Sequence, residues 1–213
     1  MLAPGAPKFR RRKADRPGEI LQAALEVFAE KGFAAAKLDE IAERAGVSKG
    51  AIYLYFATKE EIFRAVVDQA IAPNIEVVKA MAAAHPGPFR DLVTALAGHV
   101  GALIQHTPVG GVAKMVIAEA RNFPEIARVW HDRLVAQALG AVSEAIRNAQ
   151  ARGEVKPGDP RTYALQLVSP FLLGVIWRET FVPVGAEPFD LSALAAQHVD
   201  TFLTGVLARE TAA

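Results

Sequence analysis

The chain has 213 residues, 52% of them hydrophobic and 22% charged, a balance that excludes a disordered tail protein and suffices to bury a sizeable core. The formal net charge of +1 hides an asymmetry: residues 1–64 hold 12 basic and 9 acidic side chains, net +3, and the remainder 12 and 14, net −2. The absence of cysteine excludes disulfide frameworks, thiolate metal sites and cysteine nucleophiles.

Residues 1–14 combine prolines, a glycine and the run Lys8, Arg10, Arg11, Arg12, Lys13, and read as a flexible basic arm. A basic arm ahead of a mildly acidic body suggests a polyanion partner, although a solvated tail accounts for the charge equally well. The early charges are followed by no apolar run with a small-residue cleavage site, so a cytoplasmic location is expected. Next, Ile20, Leu21, Ala24, Leu25, Val27 and Phe28 recur at helical spacing, with Glu19, Gln22, Glu26 and Glu30 on the other side and Gly32 at the expected stop. Leu38, Ile41, Ala42 and Ala45 mark a short second helix stopped by Gly46. Ser48 supplies a capping oxygen for a third helix carrying Ala51, Ile52 and Tyr53. Two short helices across a three-residue Gly46-Val47-Ser48 turn make a helix-turn-helix unit. Thr58-Lys59-Glu60-Glu61 is a capping box that opens a fourth helix, expected to end near Pro73.

This divides the chain into the arm at 1–14, a helix-turn-helix domain at 15–73 and a larger unit at 74–213. In the last, breaks at His85-Pro86-Gly87-Pro88, Thr107-Pro108, Asn122-Phe123-Pro124, residues 153–160 and 183–188 separate segments of helical length without strand alternation. The expected fold is all-α with about nine helices, the last two near 160–181 and 190–208. Leu92 to Ala113 and Thr162 to Trp177 carry no charge, but the first is interrupted by histidines, glycines and Pro108. The second falls short of the roughly 20 residues that span a bilayer and is bracketed by Arg161 and Arg178. Core helices explain both better, and no membrane partner is expected.

The segment Leu38-Asp39-Glu40-Ile41-Ala42-Glu43-Arg44-Ala45-Gly46-Val47-Ser48-Lys49-Gly50-Ala51-Ile52-Tyr53-Leu54-Tyr55-Phe56, with Gly32-Phe33 before it and Lys59-Glu60-Glu61-Ile62-Phe63 after it, closely resembles the DNA-binding domain of the TetR/AcrR family of regulators. The resemblance covers roughly residues 16–64; beyond it, only the helical layout and the phrase Ile117-Ala118-Glu119-Ala120-Arg121-Asn122-Phe123-Pro124-Glu125 are similar. The physical reading agrees. A major groove admits one α-helix. Gly50 is costly inside a helix, by roughly 1 kcal/mol against alanine, so its presence suggests close approach to something such as the duplex, a loosely wound helix start being the alternative. Tyr53 and Tyr55 offer rings with hydroxyls suited to sugar, phosphate or thymine-methyl contact. Phe56 is expected to pack on Ile41, Phe28 and Phe63, and Lys59, in the first turn of its helix, to clamp a phosphate, an exposed lysine near Glu60 and Glu61 being the alternative. The DNA-contacting set is Lys37, Arg44, Ser48, Lys49, Gly50, Ala51, Tyr53, Leu54, Tyr55 and Lys59. One departure stands out: where family members carry Thr or Ser near the start of the second helix, this chain has Ala35-Ala36-Lys37-Leu38-Asp39, leaving Lys37 to contact phosphate or Asp39 to cap one turn later.

The resemblance implies a homodimer formed by the last two helices, with palindromic half-sites about 34 Å or more apart. Interface candidates are Tyr163, Leu167, Phe171, Val175, Leu194, His198, Phe202 and Val206; intramolecular core is the alternative for each. It also implies an inducer pocket, with candidates His99, Leu103, His106, Met115, Glu119, Phe123, Trp130, Leu134, Phe171 and Trp177, for which core packing is again the alternative. His99 and His106 share a helix face, yet two histidines without carboxylate neighbours make a poor metal site, and neither metal nor cofactor is expected. No phosphate loop, nucleophile elbow or metal-ligand spacing points to an enzyme. The reading is a sequence-specific DNA-binding regulator, a repressor released by a small hydrophobic ligand; a ligand-independent, DNA-organising protein is the alternative.

Overall fold

The computed structural model describes residues 16–208, apart from the side chain of Ala70; the predicted basic arm lies outside the described residues. Nine helices follow one another there, joined by short turns and one isolated antiparallel bridge between Val155 and Leu207. The first four are α1 (Arg16–Ala35), α2 (Leu38–Ala45), α3 (Lys49–Tyr53) and α4 at 59–84. They are followed by α5 (Phe89–His106), α6 (Val109–Glu119), α7 at 124–151, α8 at 160–181 and α9 (Leu191–Val206). The three long helices α4, α7 and α8 contain a π turn each, at Val67–Ile71, His131–Val135 and Trp177–Phe181.

Helix α4 does not stop near Pro73 as expected from sequence; it continues to Ala84. Proline has no N–H to donate and its ring crowds the preceding turn. In the π turn just before it, Ala72 N–H reaches back five residues to the Val67 carbonyl, so the ladder is already reorganised where proline enters. Helix α1 is kinked at Gly32, whose φ of 81° lies in the left-handed region that favours glycine.

The α1 stripe read from sequence is buried: Ile20, Leu21, Ala24, Leu25, Val27 and Phe28 all face inward. Their core does not stop at the edge of the helix-turn-helix. Phe28, Phe33, Ile41, Ile52, Ile62 and Phe63 share one cluster with Val112, Met115, Val116, Ile126 and Trp130 of α6 and α7. Phe56 packs on this cluster from its edge, and the aromatic centre is Phe33, with ring centroids 5.5 Å from Phe28, 6.0 Å from Phe63 and 5.1 Å from Phe123. Helix α1 runs along α6 so closely that a side chain at Gly111 would sit 2.9 Å from Ala29 Cβ and 3.3 Å from its backbone. A second cluster, including Phe89, Ile146, Leu167, Phe202 and Leu203, fills the far end of the body.

Candidate nucleic-acid interface

The helix-turn-helix is held by its caps. Gly46, at φ 65°, closes α2 with its N–H on the carbonyls of Ala42 and Glu43; Ser48 opens α3 by accepting from Ala51 N–H at 3.2 Å. Thr58 accepts from Glu61 N–H at 3.1 Å, and the Glu61 carboxylate returns to Ala57 N–H at 2.7 Å. Helix α3 buries only Ile52. Ser48, Lys49 and Gly50 are exposed and Ala51 is half-buried, while Tyr53, Leu54 and Tyr55 present 52%, 80% and 41% of their surface to solvent. The predicted reading surface is therefore an exposed face on a rigid support.

Its cations are distributed differently from the sequence expectation. Lys59 does not face outward: its ammonium donates to the carbonyls of Phe33, Ala34 and Ala36, at 2.5, 3.2 and 3.1 Å, and lies 4.6 Å from the centre of the Phe33 ring. An ammonium has three donors, and all three are engaged in closing the end of α1, where carbonyls lack helical partners. The phosphate-clamp reading of Lys59 is thus corrected to a C-terminal cap. Arg44 is likewise engaged, forking onto both oxygens of Glu30 at 2.7 and 2.8 Å and pinning α2 to α1. The hydrogen bond from Arg44 holds Glu30 below the usual carboxylate range. Lys49 sits 3.0 Å from Asp39, whose hydrogen bond and charge raise the lysine above its usual range. Asp39 is therefore a partner of Lys49 and not a cap; Lys37 occupies the cap position of α2, exposed, with no side-chain capping bond.

Two predicted inducer-pocket residues belong to the junction behind this surface. Glu119, at the end of α6, accepts Ala34 N–H at 2.7 Å, and its other oxygen fills the space that a side chain at Gly32 would occupy. Phe123 stacks edge-on against Phe33. Met115 and Trp130 are buried in the same cluster, with Leu103 and Leu134 packed on it. His106 is exposed; His99 is half-buried, with Nε2 enclosed and unpartnered. Trp177 stacks on Phe181 and Phe189 and donates to the Glu187 carbonyl at 2.9 Å. Only Phe171 of that set lines a small crevice, about 20 Å³, that opens between α5, α8 and α9. Its other walls include Gly101, Ile104, Gly174, Leu191 and Leu194, with a Gln105–Ser192 hydrogen bond of 3.0 Å between two of its lining residues.

The family model for bacterial regulatory proteins of the tetR family matches residues 20–66, and the model for a tetracyclin repressor-like C-terminal domain matches 83–201, more than half of the chain. This chain belongs to the TetR family. Among curated TetR-type relatives, the transcriptional activator FasR of Mycolicibacterium smegmatis is 47% identical over 57 residues, 27% of this chain and 26% of that protein. The repressor BepR of Brucella suis is 42% identical over 74 residues, 34% of this chain and 35% of that protein. The matched segments thus span about a quarter to a third of these relatives. A TetR-family regulator of Mesorhizobium loti superposes with a TM-score of 0.74 at 23% identity, over 93% of this chain and 100% of that one. FadR of Bacillus subtilis in complex with stearoyl-CoA does so at 0.72 and 21%, over 88% and 98%. At these identities the solved structures show a shared TetR fold.

The last two helices of this TetR-family chain differ from the predicted interface. Leu167, Val175, Phe202 and Val206 are buried within the subunit, and Tyr163, Phe171, Leu194 and His198 are half-buried, with His198 Nε2 3.0 Å from the Leu167 carbonyl across α8 and α9. Leu165, Leu172 and Leu173 lie instead on the outward face of α8, 55%, 45% and 62% exposed, with Gln166 and Ser169 exposed among them. The segment Pro160–Val184 is long and apolar enough to cross a membrane by length and composition, and most of its apolar window is unburied. Helical periodicity alone does not say which of two apolar faces meets the subunit's own core.

Proposed function

We propose that this TetR-family protein is a homodimeric, sequence-specific transcriptional repressor that a small hydrophobic ligand releases from palindromic operator DNA. The observation that carries the reading is α3 itself: five residues capped by Ser48, one buried anchor at Ile52, and Lys49, Gly50 and Tyr53 exposed toward a groove. A single such helix covers too little DNA for tight specific binding, so two copies are required. The exposed leucines of α8 support a second copy as the cover for that face, because several large apolar side chains exposed on one helix mark an interaction surface. Arg178 and Glu179 in the same segment, paired with each other, with Arg178 also donating to the Ile104 carbonyl, favour this over a bilayer.

Release requires that ligand binding and operator binding share a two-state element. The Glu119–Ala34 bond and the Phe33–Phe123 contact support α6 as that element, since both join it or its following turn to the end of α1. The mostly apolar lining of the small crevice beside Phe171 supports an apolar ligand. The stearoyl-CoA held by the Bacillus subtilis FadR is consistent with an acyl chain as the apolar part. Size-exclusion chromatography with light scattering, combined with anisotropy titration of a selected duplex, tests the reading. The expected result is a dimer that binds one palindrome, loses it on adding long-chain acyl-CoA, and becomes monomeric when Leu172 and Leu173 are both changed to Glu. A monomeric wild-type protein, or one binding all duplexes alike, overturns it.

A further inference from the structure

The reading face has an unusual chemical balance. Arginine or lysine bidentate to guanine is the commonest specific contact in a major groove. Here Arg44 is forked onto Glu30, Lys59 caps α1, and Lys49 sits at the opposite end of α3 beside Asp39. The Ser48 hydroxyl accepts from Ala51 N–H. What α3 and its trailing turn offer beyond Lys49 is Gly50, Ala51, two phenols and Leu54. Leu54 is 80% exposed, packs on nothing in the subunit's core clusters, and its backbone is held in the helical region with its N–H on the Ala51 carbonyl at 3.3 Å. An aliphatic side chain has one apolar partner on the floor of a major groove, the 5-methyl group of thymine.

We infer that Leu54 is a specificity-determining residue of this protein, reading the 5-methyl group of one thymine in each operator half-site. The inference rests on the proposed function and narrows it: sequence preference at that position comes from methyl burial, with Tyr53 and Tyr55 flanking it and Lys49 reading nearer the start of the helix. Burying one methyl-sized group corresponds to about a four-fold change in affinity per half-site.

The full chain is used to select an operator from a random duplex library, and its affinity is measured by anisotropy at fixed salt. Each thymine is then replaced singly by deoxyuridine, which removes the methyl and leaves the hydrogen-bonding edge intact. The expected result is one thymine per half-site at which the wild type loses about four-fold, while Leu54→Ala binds thymine and uracil there equally well and keeps its penalties elsewhere. Circular dichroism of Leu54→Ala should match the wild type, because the side chain packs on no core. If Leu54→Ala retains every uracil penalty, or the wild type shows none, the inference is overturned and the regulator reading stands. If selection enriches no sequence, both are overturned.

Discussion

The two ends of α6 face different kinds of structure. Toward the DNA-reading end, polar groups are consumed internally: Lys59 on three carbonyls, Arg44 on Glu30, Glu119 on Ala34, with three phenylalanines closed behind them. Away from it, the outer face of α8 leaves leucines in water, a crevice opens beside Phe171, and His99 keeps an enclosed nitrogen without a partner. One region satisfies its polar groups within the subunit, and the other leaves leucines exposed and a buried nitrogen without a partner. Regions that must present a fixed shape to a rigid ligand such as DNA gain from internal satisfaction, whereas regions that must exchange partners cannot be satisfied in advance.

Several substitutions break or sharpen that contrast. The largest loss is expected for Phe33→Ala, which removes a fully buried ring from the meeting point of both regions. A cost of about 3–5 kcal/mol is expected from urea titration, with DNA-reading and body signals melting together. Two separate transitions would mean that the shared core couples less than its contacts imply. Lys59→Met should follow, costing about 1–3 kcal/mol by stranding the carbonyls at the end of α1. Because its charge faces inward, the slope of operator affinity against salt should stay within half a phosphate contact of the wild type; a slope reduced by a full contact would restore the phosphate-clamp role.

The smallest effect is expected at Glu154, where burial alone would raise the pKa but Phe89 N–H at 2.6 Å and Arg152 outweigh it and hold the carboxyl below its usual range. A depressed folded pKa contributes stability that is present above the unfolded value, about 4.3, and is lost as pH falls through the folded one. Glu154→Gln should therefore melt below the wild type at pH 7, with the two curves converging as pH drops below about 4. A constant gap in thermal melts across that range would show that the carboxylate charge is not what matters there.

The readable part of this molecule was its local punctuation. Gly46, Ser48 and Thr58 act within four residues of themselves, so their caps could be placed from sequence, as could the buried stripe of α1. What was illegible was the partner of each polar group. Lys59 in a first helical turn has the same local sequence whether it meets a phosphate or the end of α1, 23 to 26 residues earlier. Glu119 finds its partner 85 residues away, and no spacing rule reaches that far. The helix continuing past Pro73 was hidden for a third reason: the compensating π turn leaves no mark in composition.

The Glu119 contact with the α1–α2 turn bears on how such regulators can be recombined. A DNA-reading end transplanted onto another body would carry Gly32 and its vacant Cβ position with it, but would leave behind the carboxylate that fills that space and the ring that meets Phe33. The natural unit of exchange for building chimeric sensors from this chain is therefore not residues 16–73 but that segment plus the last turn of α6 and Phe123.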